Sequence, residues 1–410
     1  MRFVFYFEDT GHNFSLQQLK DGDLGVGGQI STFRILFWLA REGHDVIILN
    51  HYDQDVVAGM TAIRLASYKD IPDVVKNISG ADIFIFKNHS DAYKLASLSI
   101  PLIKAKVMWS GNPIPTQWLL RFNKRLLNKF VFVSNSHREG YRCYPYFRRI
   151  EVARTGVDID LIDETPFMER KDNLVVFIGA PLMSKGFHNL LLAWPHVLKA
   201  RPETRLRILG SAALHDTKTR MGWTKVLEPD LETRYLDPIV GPGKRLERGN
   251  IEFAGTLPIK EVFRELKQAN VAIVNCNWDG SVETYCRSAV ESQACGTPVV
   301  GAARGSLPDV VQHNRTGLLI AKPNPKELAS AIIYLLNNKD VRDRFGREGE
   351  KWARSIGNYQ ALVSDWVEIA ERAINNKSAL AQRNIKGDIL RWSGYGMARI
   401  IASRLIHGAV

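Results

Sequence analysis

Residues 277–300 read Asn277-Trp278-Asp279-Gly280-Ser281-Val282-Glu283-Thr284-Tyr285-Cys286-Arg287-Ser288-Ala289-Val290-Glu291-Ser292-Gln293-Ala294-Cys295-Gly296-Thr297-Pro298-Val299-Val300. The apolar run just before them, Val271-Ala272-Ile273-Val274, is short enough for a buried parallel strand. A polar loop through Gly280 follows. Ser288 to Ala294 then predict a helix stopped by Gly296, and Pro298-Val299-Val300 open the next strand. Two carboxylates, Glu283 and Glu291, therefore bracket a loop-to-helix junction beyond the carboxyl end of a strand. Open α/β sheets bind their ligands at such places.

The spacing decides how the two acids are used. Were all of 283–291 helical, the two side chains would stand about 80° apart rather than on one face. Glu283 is therefore placed in the loop, and Glu291 about a turn and a half into the helix. The backbone N–H groups of Thr284, Tyr285, Cys286 and Arg287 then point out of the helix start. That end carries partial positive charge and open donors, which suit a phosphate. Glu291, held deeper, can accept hydrogen bonds from ribose hydroxyls, as acids do in dinucleotide folds. Glu283 can reach hydroxyls of whatever hangs from the phosphate. Taken alone, the pattern is better described by a solvated loop acid at Glu283 and a capping or locally salt-bridged Glu291, since short patterns recur by chance.

The rest of the chain repeats the strand–loop–helix theme. Residues 1–7 predict a strand, Asp21 to Gly28 a glycine-rich loop, Ile30 to Arg41 an amphipathic helix, and Val46 to Leu49 a second strand. This is a mononucleotide-fold opening. It has no G-x-G-x-x-G, which disfavours a nicotinamide dehydrogenase. Gly27 and Gly28 either let the backbone approach a phosphate or simply make a tight turn. Further strands are predicted at 82–86, 107–109 and 130–133. A second series starts with Leu174 to Gly179 and the loop Ala180-Pro181-Leu182-Met183-Ser184-Lys185-Gly186. It continues with a helix from Phe187 to Ala200, strands at 205–210 and 250–255, and helices at 259–269, 325–336 and 341–356. Ser211 to Gly249 is a long connection with Pro229, Pro238 and Gly241-Pro242-Gly243-Lys244-Arg245, and loops of that length tend to be functional or mobile.

The stretch around Glu283 and Glu291, continued by Arg304-Gly305-Ser306-Leu307-Pro308-Asp309 and Asn314-Arg315-Thr316-Gly317-Leu318-Leu319, resembles the donor-site signature of family 4 glycosyltransferases. The resemblance covers about residues 22 to 370 and includes Lys185-Gly186, Ser134-Asn135-Ser136 and Thr155-Gly156-Val157-Asp158. It implies an α/β chain of GT-B type, two Rossmann-like doubly wound domains facing a central cleft. The N-terminal acceptor domain would span 1–160 and the nucleotide-sugar donor domain 173–356. A crossover helix returning to the first domain, with a C-terminal tail, would span 357–410.

The implied activity is retaining transfer of a hexose-type sugar from a nucleotide-diphosphate sugar to a hydroxyl of a glycan or lipid-linked acceptor. Glu283 would position the donor sugar, and Lys185 would neutralise the departing diphosphate. Gly27, Gly28, Gly186 and the amides of Thr284, Tyr285, Cys286 and Arg287 would hold the phosphates, and Glu291 the ribose. Neither a cofactor nor a metal is required, because cationic side chains and the helix dipole take that role. Surface polysaccharide or glycolipid assembly is the implied setting. Two departures stand out. The family's arginine position holds Ala180, and its histidine near the reacting sugar is replaced within Ser110-Gly111-Asn112. They keep open a weak or inactive sugar-nucleotide-binding protein. A sugar-nucleotide epimerase of similar architecture is the other alternative.

At 410 residues, 45% of them hydrophobic, the chain is long enough for two domains with full cores. No apolar run approaches the ~18 residues that span a bilayer. Cys143, Cys276, Cys286 and Cys295 form no C-x-x-C pair and suggest reduced thiols in a cytoplasm. A net charge of +12 fits an anionic partner such as a sugar nucleotide or an anionic lipid surface. Nucleic acid is disfavoured, since no zinc finger or RNP-like run is present. A basic amphipathic helix is predicted from Thr116 to Lys129, with Arg138, Arg142, Arg148, Arg149 and Arg154 nearby. It is either packed on the sheet or set against the inner face of a membrane. The tail from Asn375 carries Ile389, Leu390, Trp392, Ile400, Ile401 and Leu405, a further amphipathic pattern. Asp21-Gly22-Asp23 and Asp158-Ile159-Asp160 are taken as loop and linker acids rather than metal ligands.

Overall fold

The computed structural model describes residues 1–7, 27–52, 59–88, 92–115, 126–144, 146–214, 218–279 and 282–375. They form two compact units. One comprises residues 1–7, Ser31–Thr155 and 359–375, the other Gly156–Asn358 with residues 27–30.

The first unit is built on seven parallel strands: β1 Arg2–Tyr6, β2 Asp45–Asn50, β3 Met60–Arg64, β4 Ala81–Lys87, β5 Ile103–Ser110, β6 Lys129–Phe132 and β7 Ile150–Val152. Their order is β3-β2-β1-β4-β5-β6-β7. Phe3, Val4, Phe5 and Tyr6 are all buried, as are Phe84, Ile85 and Phe86. A central parallel strand covered by helices on both faces needs such unbroken apolar runs, not alternation. Helix α1, Gly27–Arg41, follows β1 in the chain, with Phe33, Leu36 and Leu39 buried. It starts three residues earlier than its sequence suggests, so Gly27 and Gly28 form its first turn instead of a loop. Residues 21–26 of the glycine-rich stretch, Asp21-Gly22-Asp23 among them, lie outside the described residues.

The basic helix predicted over 116–129 is corrected at its end. Lys129 opens β6, is 7% exposed, and places Nζ 2.7 Å from Glu151 Oε1 on β7. Residues 116–125 lie outside the described residues. The neighbouring cations are also engaged inside the unit. Arg138 lies over the Phe147 ring at 4.5 Å, Arg142 pairs with Glu139, and Arg149 donates to Leu127 O at 3.1 Å.

The second unit repeats the winding with six parallel strands: β8 Leu174–Ile178, β9 Arg205–Leu209, β10 Ile251–Gly255, β11 Val271–Ile273, β12 Val299–Ala302 and β13 Gly317–Ile320. The order β10-β9-β8-β11-β12-β13 reverses direction between β8 and β11. That is the topological switch point of a doubly wound sheet, where ligands are bound. Helix α2, Phe187–Ala200, follows β8, and α3, Arg287–Ala294, lies between β11 and β12. Helices α4, Pro325–Asn337, and α5, Lys339–Gly357, follow β13.

The last described helix, α6 Tyr359–Asn375, belongs to the first unit. Its Trp366 meets Trp109 of β5 edge-on at 4.7 Å, and both rings are buried. The tail from residue 376 lies outside the described residues. Among the described residues, no helix is long and apolar enough to cross a membrane.

Candidate functional site

The switch point of the second sheet places two loops side by side. After β8 the chain runs through buried Ala180 into a short turn, Met183–Lys185, and then Gly186. Gly186 has φ +72, and a Cβ there would lie 2.1 Å from the Cys276 carbonyl carbon. Only glycine suits both the left-handed backbone and the close approach. The two loops are then laced together. Cys276 N donates to Lys185 O at 3.0 Å, Asn277 Nδ2 to Ser184 O at 3.0 Å, and Asn189 Nδ2 to Cys276 O at 2.9 Å.

This lacing fixes Lys185 opposite Glu283. Lys185 Nζ lies 2.5 Å from Glu283 Oε2, and Asn275 Nδ2 donates to the same oxygen at 2.8 Å. The lysine side chain is 32% exposed and the glutamate 13%, so the pair is accessible at its ammonium end. The Glu283 backbone is held as well. Its carbonyl accepts from Ser306 N at 2.9 Å, and a Cβ at Gly305 would lie 2.5 Å from that oxygen. Residues following β8 and β11 thus converge on the Glu283 carboxylate, and residues following β12 hold its backbone.

Helix α3 follows. Gly296 and Thr297 close it with paired bonds, Gly296 N to Gln293 O at 2.8 Å and Thr297 N to Ser292 O at 2.9 Å. With φ +73 at Gly296, this is a Schellman end. Glu291 is the fifth helical residue, 6% exposed. Arg287 Nε lies 2.7 Å from its Oε1, while Arg287 Nη2 lies 3.7 Å from Asp158 Oδ2. Burial pushes the Glu291 carboxyl up, Arg287 pulls it down, and the nearby Asp158 adds to the rise. Cys286, 3% exposed, has its thiol pushed up to about 11 by burial, so it is a packing residue and not a nucleophile.

Of the sequence-predicted residues, Lys185, Gly186 and Glu283 come together as one cluster. Glu291 and Arg287 form a second, ion-paired group. The picture at the helix start needs correcting. The Cys286 amide donates to Ser306 Oγ at 3.1 Å and the Arg287 amide to Tyr285 O at 3.1 Å. Neither is an open phosphate donor in this conformation. Glu291 stands just over one turn into the helix, and its Oε1 already has a partner in Arg287. Residues 280 and 281 lie outside the described residues.

Sequence reading missed Asn275 and the role of Ser306. The one available signal for Asn275 was a polar residue standing immediately after the buried run 271–274. In the first sheet, Lys87 ends β4 and donates to Thr32 Oγ1 at 2.7 Å, with its Nζ 5.1 Å from the centre of the Trp109 ring. Burial pushes that ammonium down to about 8.

Residues 158–352 match the family model of the glycosyl transferases group 1. The match contains Lys185, Glu283 and Glu291. Over 248 residues the chain is 27% identical to D-inositol 3-phosphate glycosyltransferase of Corynebacterium glutamicum, covering 56% of this chain and 53% of that protein. The chain spans about half the length of the curated relatives it matches first. The crystal structure of a glycosyltransferase from Rickettsia africae superposes with a TM-score of 0.69 at 16% identity, covering 92% of this chain and 99% of that one. HepE of Anabaena in complex with UDP-glucose superposes with a TM-score of 0.62 at 15% identity, covering 90% and 98%. The fold is GT-B.

Proposed function

We propose that the protein is a retaining glycosyltransferase that moves a hexose-type sugar from a nucleotide-diphosphate sugar to a hydroxyl of a glycan or lipid-linked acceptor. The observation that carries this is the Lys185–Glu283–Asn275 cluster at the β8/β11 switch point, inside the region that matches the glycosyl transferases group 1. The likeness to HepE, which was solved with UDP-glucose, supports a nucleotide-sugar donor.

In this structure the Lys185 ammonium rests on Glu283. A donor diphosphate competes for that ammonium, and Glu283 is then released to accept hydroxyls of the donor sugar. As the bond between the anomeric carbon and the donor phosphate breaks, the acceptor oxygen bonds to that carbon and the acceptor proton passes to the departing diphosphate, with negative charge building on the diphosphate and positive charge on the sugar ring. Lys185 counters the first and the Glu283 carboxylate the second, both preorganised by the laced loops. Asn275 keeps Glu283 oriented throughout. Glu291, anchored by Arg287, is the acceptor for the donor ribose hydroxyls. We assign no cofactor and no metal, since the leaving charge is met by the Lys185 ammonium.

A catalytically weak, donor-binding protein is the second reading. It is favoured by Ala180, 1% exposed where the family carries arginine, and by Ser110, whose Oγ bonds to its own loop at Asn112 O.

A thermal-shift panel of UDP, GDP and ADP with their glucose and mannose conjugates tests the donor assignment. A ligand at about 100 times its dissociation constant adds roughly 2.7 kcal/mol. If no nucleotide raises the melting temperature, the proposal fails. If one does but no diphosphate is released with any acceptor, the second reading holds.

A further inference from the structure

The long connection between β9 and β10 is not slack. Leu227, Leu231, Leu236 and Val240 are buried. Glu232, 2% exposed, ties it together by accepting from Trp223 N at 2.8 Å, Thr224 N at 2.7 Å and Thr224 Oγ1 at 2.6 Å. Trp194 of α2 donates from Nε1 to Gly249 O at 2.6 Å and anchors the far end. The described part of the connection, residues 211–214 and 218–249, ordered to this degree, builds a surface.

That surface holds a cavity of about 530 Å³ that is open to solvent, lined by Met183, Arg220, Glu228, Asp230, Arg234 and Tyr235 among others, with Arg220, Asp230 and Arg234 exposed. The size suits a small ligand. The charges decide its type. Two guanidinium groups and two carboxylates balance, so a phosphate or polyanion would meet repulsion as well as attraction. A neutral ligand rich in hydroxyls meets neither. Its hydroxyls find acceptors on Glu228 and Asp230 and donors on Arg220 and Arg234, and an apolar ring face finds Tyr235 and Met183. A sugar ring has both features.

The cavity also adjoins the switch-point loop. Met183 lies two residues before Lys185 in the same turn. Tyr235 packs its ring 5.6 Å from that of His188, three residues after Lys185 in the first turn of α2.

We propose that this cavity is a subsite for one neutral sugar unit, supplied by the acceptor glycan, built by a segment outside the strand–helix core. The inference rests on the glycosyltransferase reading for its placement but not for its chemistry.

Saturation-transfer NMR with methyl α-glucoside, methyl α-mannoside and methyl α-galactoside tests it. At least one glycoside should show transfer to the wild-type protein. Tyr235→Ala should weaken it about tenfold or more, and Glu228→Gln should weaken it too, while Tyr235→Phe retains it. Glu291→Gln should leave the glycoside signal intact, since its defect lies with the nucleotide. The sugar nucleotide chosen by the thermal-shift panel is then added. A persisting glycoside signal identifies the acceptor as the source, whereas displacement identifies the donor's own sugar and overturns the acceptor assignment. Absence of transfer from every glycoside, equal transfer to Tyr235→Ala, or displacement by inorganic phosphate would overturn the proposal. Loss of nucleotide binding with intact glycoside binding would instead sink the donor assignment alone.

Discussion

Lys185 Nζ and Glu283 Oε2 lie 2.5 Å apart across the β8/β11 switch point, with Asn275 Nδ2 donating to the same carboxylate oxygen. The pair is partly open to water, so its net worth to folding is small, about 1 kcal/mol or less. Its value is positional, because it sets the ammonium and the carboxylate side by side at the switch point.

Lys185→Met and Glu283→Gln should therefore separate binding from turnover. The first should fold with a nearly unchanged melting temperature but lose nucleotide-induced stabilisation. The second keeps the hydrogen-bonding shape and should retain nucleotide binding while turnover falls about 100-fold or more. Paired thermal-shift and diphosphate-release assays read both effects, and loss of nucleotide binding in Glu283→Gln alone would reverse the roles.

Gly186→Ala should damage the second unit. It asks a Cβ to occupy space 2.1 Å from a backbone carbon of Cys276, at φ +72. The loops must part to relieve it, and the Lys185–Glu283 contact is lost with them. The cost is on the order of 3 kcal/mol. Chemical denaturation should show a lowered midpoint, and the variant should bind no nucleotide even where it remains folded.

His137 makes the first unit acid-sensitive. It is 6% exposed, stacked on Phe132 at 4.2 Å, and burial pushes its pKa down to about 4. Charged groups near it include Arg138 and Glu139 on its own short helix. The unfolded chain takes up the proton near pH 6.5 and the folded chain only near 4, so the contribution is fully present above about 6.5. It is lost progressively as pH falls through that window, by at most about 3 kcal/mol. His137→Phe should flatten the stability profile between pH 6.5 and 4, measured against wild type by denaturant titration at each pH.

Glu232→Ala should loosen the 211–249 segment without touching the sheet. It leaves two backbone amides and a hydroxyl without their common acceptor, at a cost of about 1–3 kcal/mol. Limited proteolysis should cut first within this segment in the variant, and later or elsewhere in the wild type.

Much of the fold could be read from unbroken apolar runs. Leu174 to Ile178 and Val271 to Ile273 announce strands covered on both faces, and Gly296 announces the end of α3. The edges were illegible for the same physical reason. Met60–Arg64 has only one side paired and mixes buried with exposed residues, and Ile150–Val152 is three residues long. Lys129 reads as part of a basic helix because its partner, Glu151, lies on a different strand.

At the site, Lys185 and Glu283 were legible because each lies in a loop that follows a buried strand, and the loops carry a recognisable pattern. The occupancy of the Cys286 amide was not, since its acceptor Ser306 is 20 residues away and reaches it only once β12 is in place. The same holds for Asn275, whose use depends on where Glu283 comes to rest. Local pattern identifies which residues reach the switch point, and only tertiary structure tells which of their hydrogen bonds are already taken.

The central claim is that the second unit grips a nucleotide-sugar diphosphate through Lys185 and the deeper Glu291. Calorimetric titration of the nucleoside diphosphate selected by the panel into wild type, Lys185→Met and Glu291→Gln measures this directly. The account predicts saturable one-site binding to wild type and at least about tenfold weaker binding to each variant, with both variants still folded. Equal affinity across the three proteins would contradict it.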